Sequence, residues 1–124
     1  MVHINNQNFP ATYLTTPEEK QRGMMGKDSL DGCMVFKMGM GVHSFWMKNC
    51  LIPLDIVYVM NKKISHIHPN CPVPDSHTMN PPKYSGMGDH VIEVPAGTAK
   101  NWKVGDRVAM YLGTPENPVR PSYS

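Results

Sequence analysis

The residues best suited to chemistry lie in one segment, residues 44–58, where polar side chains interrupt an otherwise apolar sequence. Trp46, Lys48 and Asn49 occur in its first half, and Asp55 occurs in its second half. Alternate side chains of a strand share a face, so Trp46 and Lys48 would place an aromatic wall beside a cation. Such a face could hold an anionic or planar ligand. Alternatively, the tryptophan covers a sheet edge while the lysine extends to water.

Three charged residues form a second candidate site. Asp55 and Glu93 occur inside apolar segments, so each needs a partner if it is buried. With Lys48 they could form a site whose shifted pKa values serve binding or proton transfer. They could equally be a structural ion pair or carboxylates that cap turns. We expect all three in one polar cluster, with Trp46 at its edge.

Other candidates rest on weaker patterns. Arg22 could bind an anion beside the sheet, or it could simply oppose the dipole at a helix end. His66 and His68 have metal-ligand spacing, but no dense Cys/His motif accompanies them, and the sequence predicts neither a metal nor a cofactor. No nucleophile motif or phosphate-binding glycine loop occurs. Cys50 lies near Lys48, yet we expect it to be an inert thiol.

The composition limits the class of protein. The chain has 124 residues, the length of one domain. Its net charge is +2 without a lysine or arginine cluster, which argues against nucleic-acid binding. No run of about 20 apolar residues could cross a membrane, and the first residues lack the pattern of a signal peptide. We therefore expect a cytoplasmic protein with three reduced cysteines.

One helix has a clear start. Thr16 can cap it, Pro17 suits its first position, and Glu19 completes a capping box. The helix should end near Gly23 or Gly26. The sequence thus predicts one short N-terminal helix.

The rest of the chain is predicted to form strands, joined by turns and one long loop. Residues 39–41 predict a turn, residues 96–102 a helical turn, and five prolines within 69–88 a long irregular loop. Residues 54–60 are almost continuously apolar, which is typical of a central strand. The predicted fold class is α+β and β-dominated, either a mostly antiparallel sheet or a partly closed barrel. The predicted strands are residues 9–14, 33–38, 42–49, 54–60, 64–68, 90–94 and 107–112.

The chain ends in a proline-rich segment. Residues 1–113 are predicted to form the single domain, and residues 114–124 an extended arm. Pro115, Pro118 and Pro121 are spaced by three, which suits a polyproline-like conformation. We expect the arm to lie against its own sheet or a neighbouring chain.

Seven short segments, in a fixed order, carry a resemblance to a known family. They are Thr16-Pro17-Glu18-Glu19, Arg22-Gly23-Met24-Met25-Gly26, Met34-Val35-Phe36, Ser44-Phe45-Trp46-Met47-Lys48-Asn49, Ile52-Pro53-Leu54-Asp55-Ile56, Ile92-Glu93-Val94-Pro95-Ala96-Gly97 and Val104-Gly105-Asp106-Arg107-Val108. On these segments, from about residue 12 to residue 108, the chain resembles the DUF192 family, also called UPF0127. The resemblance implies a small, mostly β fold and carries no established activity.

The chain departs from the family pattern in three ways. Many members begin with an export or anchor segment, whereas the first residues of this chain show no such pattern and none is expected here. Members often have a cysteine pair in the long loop. This chain has Cys71 there, but Asp75-Ser76-His77 further along the loop contains no second cysteine, so no loop disulfide is expected. Cys33 and Cys50 occupy positions usually held by other residues. These departures favour an intracellular or virus-encoded relative.

The favoured hypothesis is a non-enzymatic binding or accessory domain. It would engage a partner or a small ligand through the Trp46/Lys48 face and the loop 69–88. One alternative is a structural protein of a virion or assembly, with residues 114–124 as a docking arm. Another is a small enzyme using the three charged residues of the second candidate site. The candidate binding residues are Arg22, Trp46, Lys48, Asn49, Asp55 and Glu93.

Overall fold

The structure, a computed structural model, describes residues 1–114 and 117–119 of the chain. This part of the chain forms one helix and ten strands, whereas the sequence predicts one helix and about seven strands. In chain order the elements are β1 (Val2–Ile4), β2 (Gln7–Phe9), β3 (Ala11–Leu14), α1 (Pro17–Arg22), β4 (Cys33–Trp46), β5 (Leu54–Met60), β6 (Lys63–Cys71), β7 (Lys83–Pro95), β8 (Ala109–Met110), β9 (Leu112–Thr114) and β10 (Asn117–Val119).

The N-terminal hairpin of β1 and β2 is absent from the sequence prediction. Asn5 and Asn6 form its two-residue turn, with φ angles of 50° and 64° that asparagine tolerates. Pro10 follows β2, and β3 then joins a different sheet. The predicted single strand over residues 9–14 is therefore wrong at its start, since Pro10 separates two strands of two sheets.

The helix α1 starts at Pro17, as predicted. The Thr16 hydroxyl accepts a hydrogen bond from the Glu19 backbone N–H at 3.2 Å, and Glu19 Oε1 accepts one from the Thr16 N–H at 3.0 Å. This reciprocal pair is the predicted capping box. The helix ends at Arg22, and Gly23 follows it with φ of 44°.

The largest sheet has five strands in the order β3-β4-β7-β5-β6. Its neighbouring strands are antiparallel except for β3 and β4, which are parallel. A second sheet has the order β2-β1-β8. The predicted β-dominated α+β fold class is confirmed. The sheets do not close into a barrel, so the mostly antiparallel sheet is the correct one of the two alternatives.

The strand β4 continues through residues 39–41, where the sequence predicts a turn. Residues 38–40 stand opposite Asp89 alone before the ladder with β7 resumes. These extra residues form a bulge, which bends a strand without ending it. Gly39 and Gly41 therefore mark a bulge, because isolated glycines occur in bulges as well as in turns.

The irregular segment predicted at 69–88 is shorter in the structure. Only residues 72–82, between β6 and β7, lie outside helices and strands. Pro69 is tolerated inside β6 because this strand is at the edge of its sheet. No proline occurs between residues 83 and 94, so nothing interrupts β7 there.

Apolar side chains cover both faces of the five-stranded sheet. Alternate residues of β5 contribute to opposite faces, which explains its continuous apolar run. The first core consists of Val2, Ile4, Cys33, Val35, Val57, Val59, Ile64, Ile92, Val94, Ala99, Trp102 and Val108. The second core consists of Leu14, Met24, Met34, Phe36, Met47, Cys50, Leu54, Ile56, Tyr58, Cys71 and Val91.

The outer ends of β4 and β7 form a two-stranded ribbon, residues 41–46 and 83–88, which crosses over the second core. The Tyr58 hydroxyl donates to one carbonyl oxygen of each ribbon strand, at 3.0 and 2.6 Å. A Cβ atom on Gly86 would lie 2.6 Å from the Tyr58 ring, so glycine permits this close approach. The ribbon thus presents one face to the core and carries Trp46 on the other.

The C-terminal part contains two short strands where residues 107–112 predict one. β8 pairs with β1, and β9 pairs antiparallel with β10. Of the predicted arm, residues 115, 116 and 120–124 lie outside the described residues, and with them Pro115 and Pro121. In the described part of the chain, no helix is long and apolar enough to cross a membrane.

Candidate functional site

Trp46 is the centre of a cationic and aromatic site on the ribbon. It is the last residue of β4, and Lys83, the first residue of β7, is its partner in the ladder. The Lys83 ammonium lies 5.9 Å from the centroid of the tryptophan ring, and the Lys48 ammonium lies 5.0 Å from it. At these distances each cation is attracted by the electrons of the ring.

Lys48 reaches this ring from the turn that follows β4. The predicted strand over 42–49 therefore extends too far, because β4 ends at Trp46. Met47 is buried in the second core and anchors the start of the turn. The two side chains of the predicted face nevertheless lie together, although only one of them belongs to the strand.

A groove of about 210 Å³ opens beside the ring. Ser44, Phe45, Trp46 and Lys83 line it. The Ser44 hydroxyl lies 2.7 Å from the hydroxyl of Ser85, its partner in the ladder. The groove therefore combines an aromatic wall, an ammonium group and hydroxyl groups, a set that can contact an anionic side chain or group.

The lysines of this site have no carboxylate partner among the residues that the structure describes. The two ribbon strands contain no aspartate or glutamate. Within residues 1–114 and 117–119, neither Lys48 nor Lys83 forms an ion pair with a carboxylate. Both lysines are exposed and Trp46 is half-buried. The site is thus a local excess of positive charge around a partly accessible indole ring.

Asp55 is buried and fully engaged by backbone groups. Its carboxylate accepts hydrogen bonds from the N–H of Asn70 at 2.8 Å, of Gly97 at 3.0 Å and of Ala99 at 2.9 Å. These bonds join the end of β6 to residues 96–101 after β7, which form hydrogen-bonded turns where the sequence predicts a helical turn. The carboxylate therefore has the turn-capping role that the sequence left open as an alternative.

Glu93 is buried in a different environment. It lies next to Met34 and Ile56 in the ladders, on the side of the second core. It accepts no hydrogen bond from any described residue, and burial raises its pKa to about 8. The carboxyl is therefore mostly protonated at neutral pH.

The predicted cluster of Lys48, Asp55 and Glu93 is wrong. Asp55 pairs with Val94, which belongs to the first core, whereas Glu93 faces the second core. Because side chains alternate along a strand, the two carboxyl groups point to opposite faces of one sheet. In the described part of the chain, no ion pair links Lys48 to either of them.

Asn49 and Arg22 have separate positions. Asn49 adopts a positive φ of 61° in the turn after β4, and its carbonyl oxygen accepts from the Gly26 N–H at 2.9 Å. This contact brings the segment after α1 next to the turn. The Arg22 side chain is exposed, and no hydrogen bond or ion pair connects it to a described residue.

His66 and His68 share a face, with ring centroids 4.4 Å apart. The Nε2 atom of His68 lies 2.7 Å from the carbonyl oxygen of Ser85, so this nitrogen donates to the ribbon. Among the residues that the structure describes, no group of three His, Cys, Asp or Glu side chains could hold a metal ion. His68 therefore helps to attach the ribbon to β6.

The three cysteines are free and buried. Burial raises the pKa of Cys33 to about 12. Burial also raises the pKa values of Cys50 and Cys71 to about 11, and the nearby Glu93 makes a smaller contribution in the same direction. Thiols with such pKa values remain protonated, and a thiol is a poor nucleophile without its thiolate form. The interpretation of Cys50 as an inert thiol agrees with this environment.

Comparison with known proteins identifies the family. The profile of DUF192, described as an uncharacterized ACR, matches residues 1–110. The chain belongs to the DUF192 family. The resemblance carried by the seven segments is thereby confirmed, and the match extends beyond the expected residues 12–108 at both ends.

Two solved structures are similar to this DUF192 domain. A protein of unknown function from Novosphingobium aromaticivorans DSM 12444 is 28% identical, with a TM-score of 0.71, over 82% of this chain and 75% of that chain. A proposed transcription regulator from Sinorhizobium meliloti 1021 is 26% identical, with a TM-score of 0.66, over 80% of this chain and 79% of that chain. A search of curated proteins gives no significant match.

Lys83 is the site residue that sequence reasoning missed. The predicted irregular segment 69–88 contained Lys83, because five prolines occur in it, at 69, 72, 74, 81 and 82. The signal was the absence of proline from residues 83–94, together with the polar and aromatic alternation that begins at Lys83. It would have placed Lys83 on a strand, but only the register with β4 sets this lysine opposite Trp46.

Proposed function

We propose that this DUF192 domain is a non-enzymatic binding domain, and that its site is the groove at Trp46, Lys48 and Lys83. One observation carries the proposal: two ammonium groups lie at 5.0 and 5.9 Å from one indole ring. Neither has a carboxylate partner in the described part of the chain. The ring draws the cations together, and together they attract an anionic group of a partner.

The surroundings favour binding over the covering role of Trp46. In the covering role, the tryptophan lies over the sheet edge while a lysine extends to water. Here a second lysine approaches the same ring from the other strand, and a groove opens next to it. The loop 72–82 ends directly before Lys83, one of the groove residues, and this supports the loop as a second contact region.

The buried charges support a binding role more than catalysis. A catalytic acid or base must reach a substrate. Both side-chain oxygens of Asp55 accept hydrogen bonds from backbone N–H groups. The Glu93 side chain lies among apolar residues and is only 4% exposed. The raised pKa values of the three thiols leave them without nucleophilic character.

The test is a titration with the peptide Glu-Glu-Glu, followed by NMR of the ¹⁵N-labelled protein. Two indole N–H signals serve as reporters: that of Trp46 in the site and that of Trp102 in the first core. We expect the Trp46 signal to move and the Trp102 signal to stay. Since an exposed ion pair contributes up to about 1 kcal/mol, Lys48→Met or Lys83→Met should each weaken binding about two- to fivefold.

Lys100→Met is the matched control, because Lys100 is exposed and lies in the turns at residues 96–101, outside the ribbon. This variant should bind the peptide as the wild type does. The proposal is wrong if the Trp46 signal does not respond. It is equally wrong if the three lysine variants lose binding to the same extent.

A further inference from the structure

The ribbon has an open edge on β4. On one side, β4 pairs with β7 along its length, but on the other side β3 pairs only with Cys33–Phe36. Among the described residues, no strand covers the second edge of residues 41–46. This stretch contains no lysine or proline, the residues that usually protect an exposed edge from pairing.

The hydrogen bonds of Tyr58 show which backbone groups face this edge. Its one hydroxyl donates to the carbonyl oxygens of His43 and Tyr84, so these oxygens face each other between the two ribbon strands. The N–H and C=O groups of successive residues alternate between the two sides of a strand. Val42 and Ser44 therefore direct their backbone N–H and C=O groups towards the open edge.

An apolar patch continues the Trp46 site along the ribbon. Val42 is 68% exposed, and its ladder partner Met87 is 48% exposed. Both lie on the face of Trp46 and Lys83, because they are separated from them by even numbers of residues. Met40 in the bulge is 54% exposed. Apolar side chains so arranged beside an open edge match a partner strand that carries an apolar side chain on the same face.

The size of the groove favours a peptide over a small molecule. Sites for small molecules typically have volumes of about 300–1,000 Å³, whereas this groove has about 210 Å³. It has room for one side chain. With positive charge and no carboxylate on the ribbon, the side chain that it fits is acidic.

We infer that the partner is a protein with an extended acidic segment, which adds as a strand to the open edge of β4. Backbone hydrogen bonds to Val42 and Ser44 would hold the segment. The side chains on one face of the segment would make both contacts: acidic ones would meet Lys48 and Lys83, and an apolar one, at an even spacing from them, would cover Val42 and Met87. This inference rests on the proposed function, since it names the partner of the same site.

The test uses the peptide acetyl-Glu-Thr-Val-Thr-Glu-amide, whose Glu and Val side chains share one face, and two N-methylated forms of it. One form carries the methyl groups on the Glu and Val nitrogens, the other on the Thr nitrogens. In a paired strand only one of these sets faces β4. The form methylated on that set should therefore bind at least about tenfold more weakly, while the other form should bind as the parent peptide does.

A pair of protein variants gives an independent reading. Val42→Pro removes one N–H of the open edge, and Val42→Ala is its control for the lost side chain. The first should bind the parent peptide about threefold to tenfold more weakly than the second. Both should retain the response of the Trp46 indole signal to Glu-Glu-Glu.

The outcomes separate this inference from the proposed function. If Glu-Glu-Glu moves the Trp46 signal but both methylated peptides bind as the parent does, strand addition is wrong and the binding site remains. Equal weakening of the two methylated peptides also overturns strand addition. If no acidic peptide moves the Trp46 signal, the proposed function fails, and the inference fails with it.

Discussion

The interior of the central sheet and the outer face of the ribbon hold their charges in opposite ways. In the interior, the carboxylate of Asp55 accepts hydrogen bonds from three backbone N–H groups, and burial raises the pKa of Glu93 to about 8. On the ribbon, Lys48 and Lys83 face one indole ring and have no carboxylate partner in the described part of the chain. Interior charge is thus satisfied or neutralised, whereas ribbon charge remains available.

This difference shows which polar residues serve the fold and which can serve a partner. A buried charge must be compensated, because burial without a partner costs several kcal/mol. An exposed lysine has no such requirement. Substitutions in the interior should therefore change stability, and substitutions on the ribbon should change binding.

The largest expected effect is that of pH on the interior through Glu93. Its pKa is 4.5 in an unfolded chain and about 8 in the fold. The folded protein therefore retains a proton that the unfolded chain loses, and stability is full below pH 4.5 and decreases up to pH 8. The free energy of unfolding should fall by about 1.4 kcal/mol for each pH unit in this window.

Glu93→Gln should remove this dependence, since glutamine does not titrate. Urea unfolding of both proteins at pH 5, 6, 7 and 8 measures it. The variant should become more stable than the wild type as the pH rises. Parallel pH profiles of the two proteins would show that Glu93 is already charged inside the fold.

Asp55→Asn should have the next largest effect. An amide has one acceptor oxygen, so at least one of the N–H groups of Asn70, Gly97 and Ala99 would face an NH₂ group. We expect a loss of about 3 kcal/mol in the free energy of unfolding, measured in urea. Asp75→Asn, in the exposed loop 72–82, is the control and should cost less than about 1 kcal/mol. Equal losses in the two variants would contradict the structural role of Asp55.

The smallest expected effect on stability is that of Lys83→Met. The side chain is exposed, so the free energy of unfolding should change by less than about 0.5 kcal/mol. Thermal unfolding of the variant and of Lys100→Met should give similar midpoints. A clear drop for Lys83→Met alone would place Lys83 with the structural charges of the interior and not with the ribbon site.

Local sequence signals predicted much of the fold. The capping box of Thr16 and Glu19 placed the helix correctly, and the apolar run 54–60 identified a buried strand. Both signals act within a few residues. The bulge at 38–40 was not predictable, because its glycines suit a turn equally well and only pairing with β7 decides between them.

The candidate site was predicted only in part for a similar reason. Trp46 and Lys48 are close in sequence, so their meeting follows from local geometry. Lys83 joins them through the register of two distant strands, which one sequence does not determine. The supposed cluster of Asp55 and Glu93 failed because polarity within a strand does not reveal which face a residue occupies.

A reversal of charge tests the central claim, that the ribbon site recognises anionic groups. The measurement compares the wild type with the double variant Lys48→Glu/Lys83→Glu, titrating each with Glu-Glu-Glu and with Lys-Lys-Lys and following the Trp46 indole signal by NMR. We predict that the wild type responds to the acidic peptide and the double variant to the basic one. Identical preferences in the two proteins, or responses confined to residues away from the ribbon, would contradict the claim.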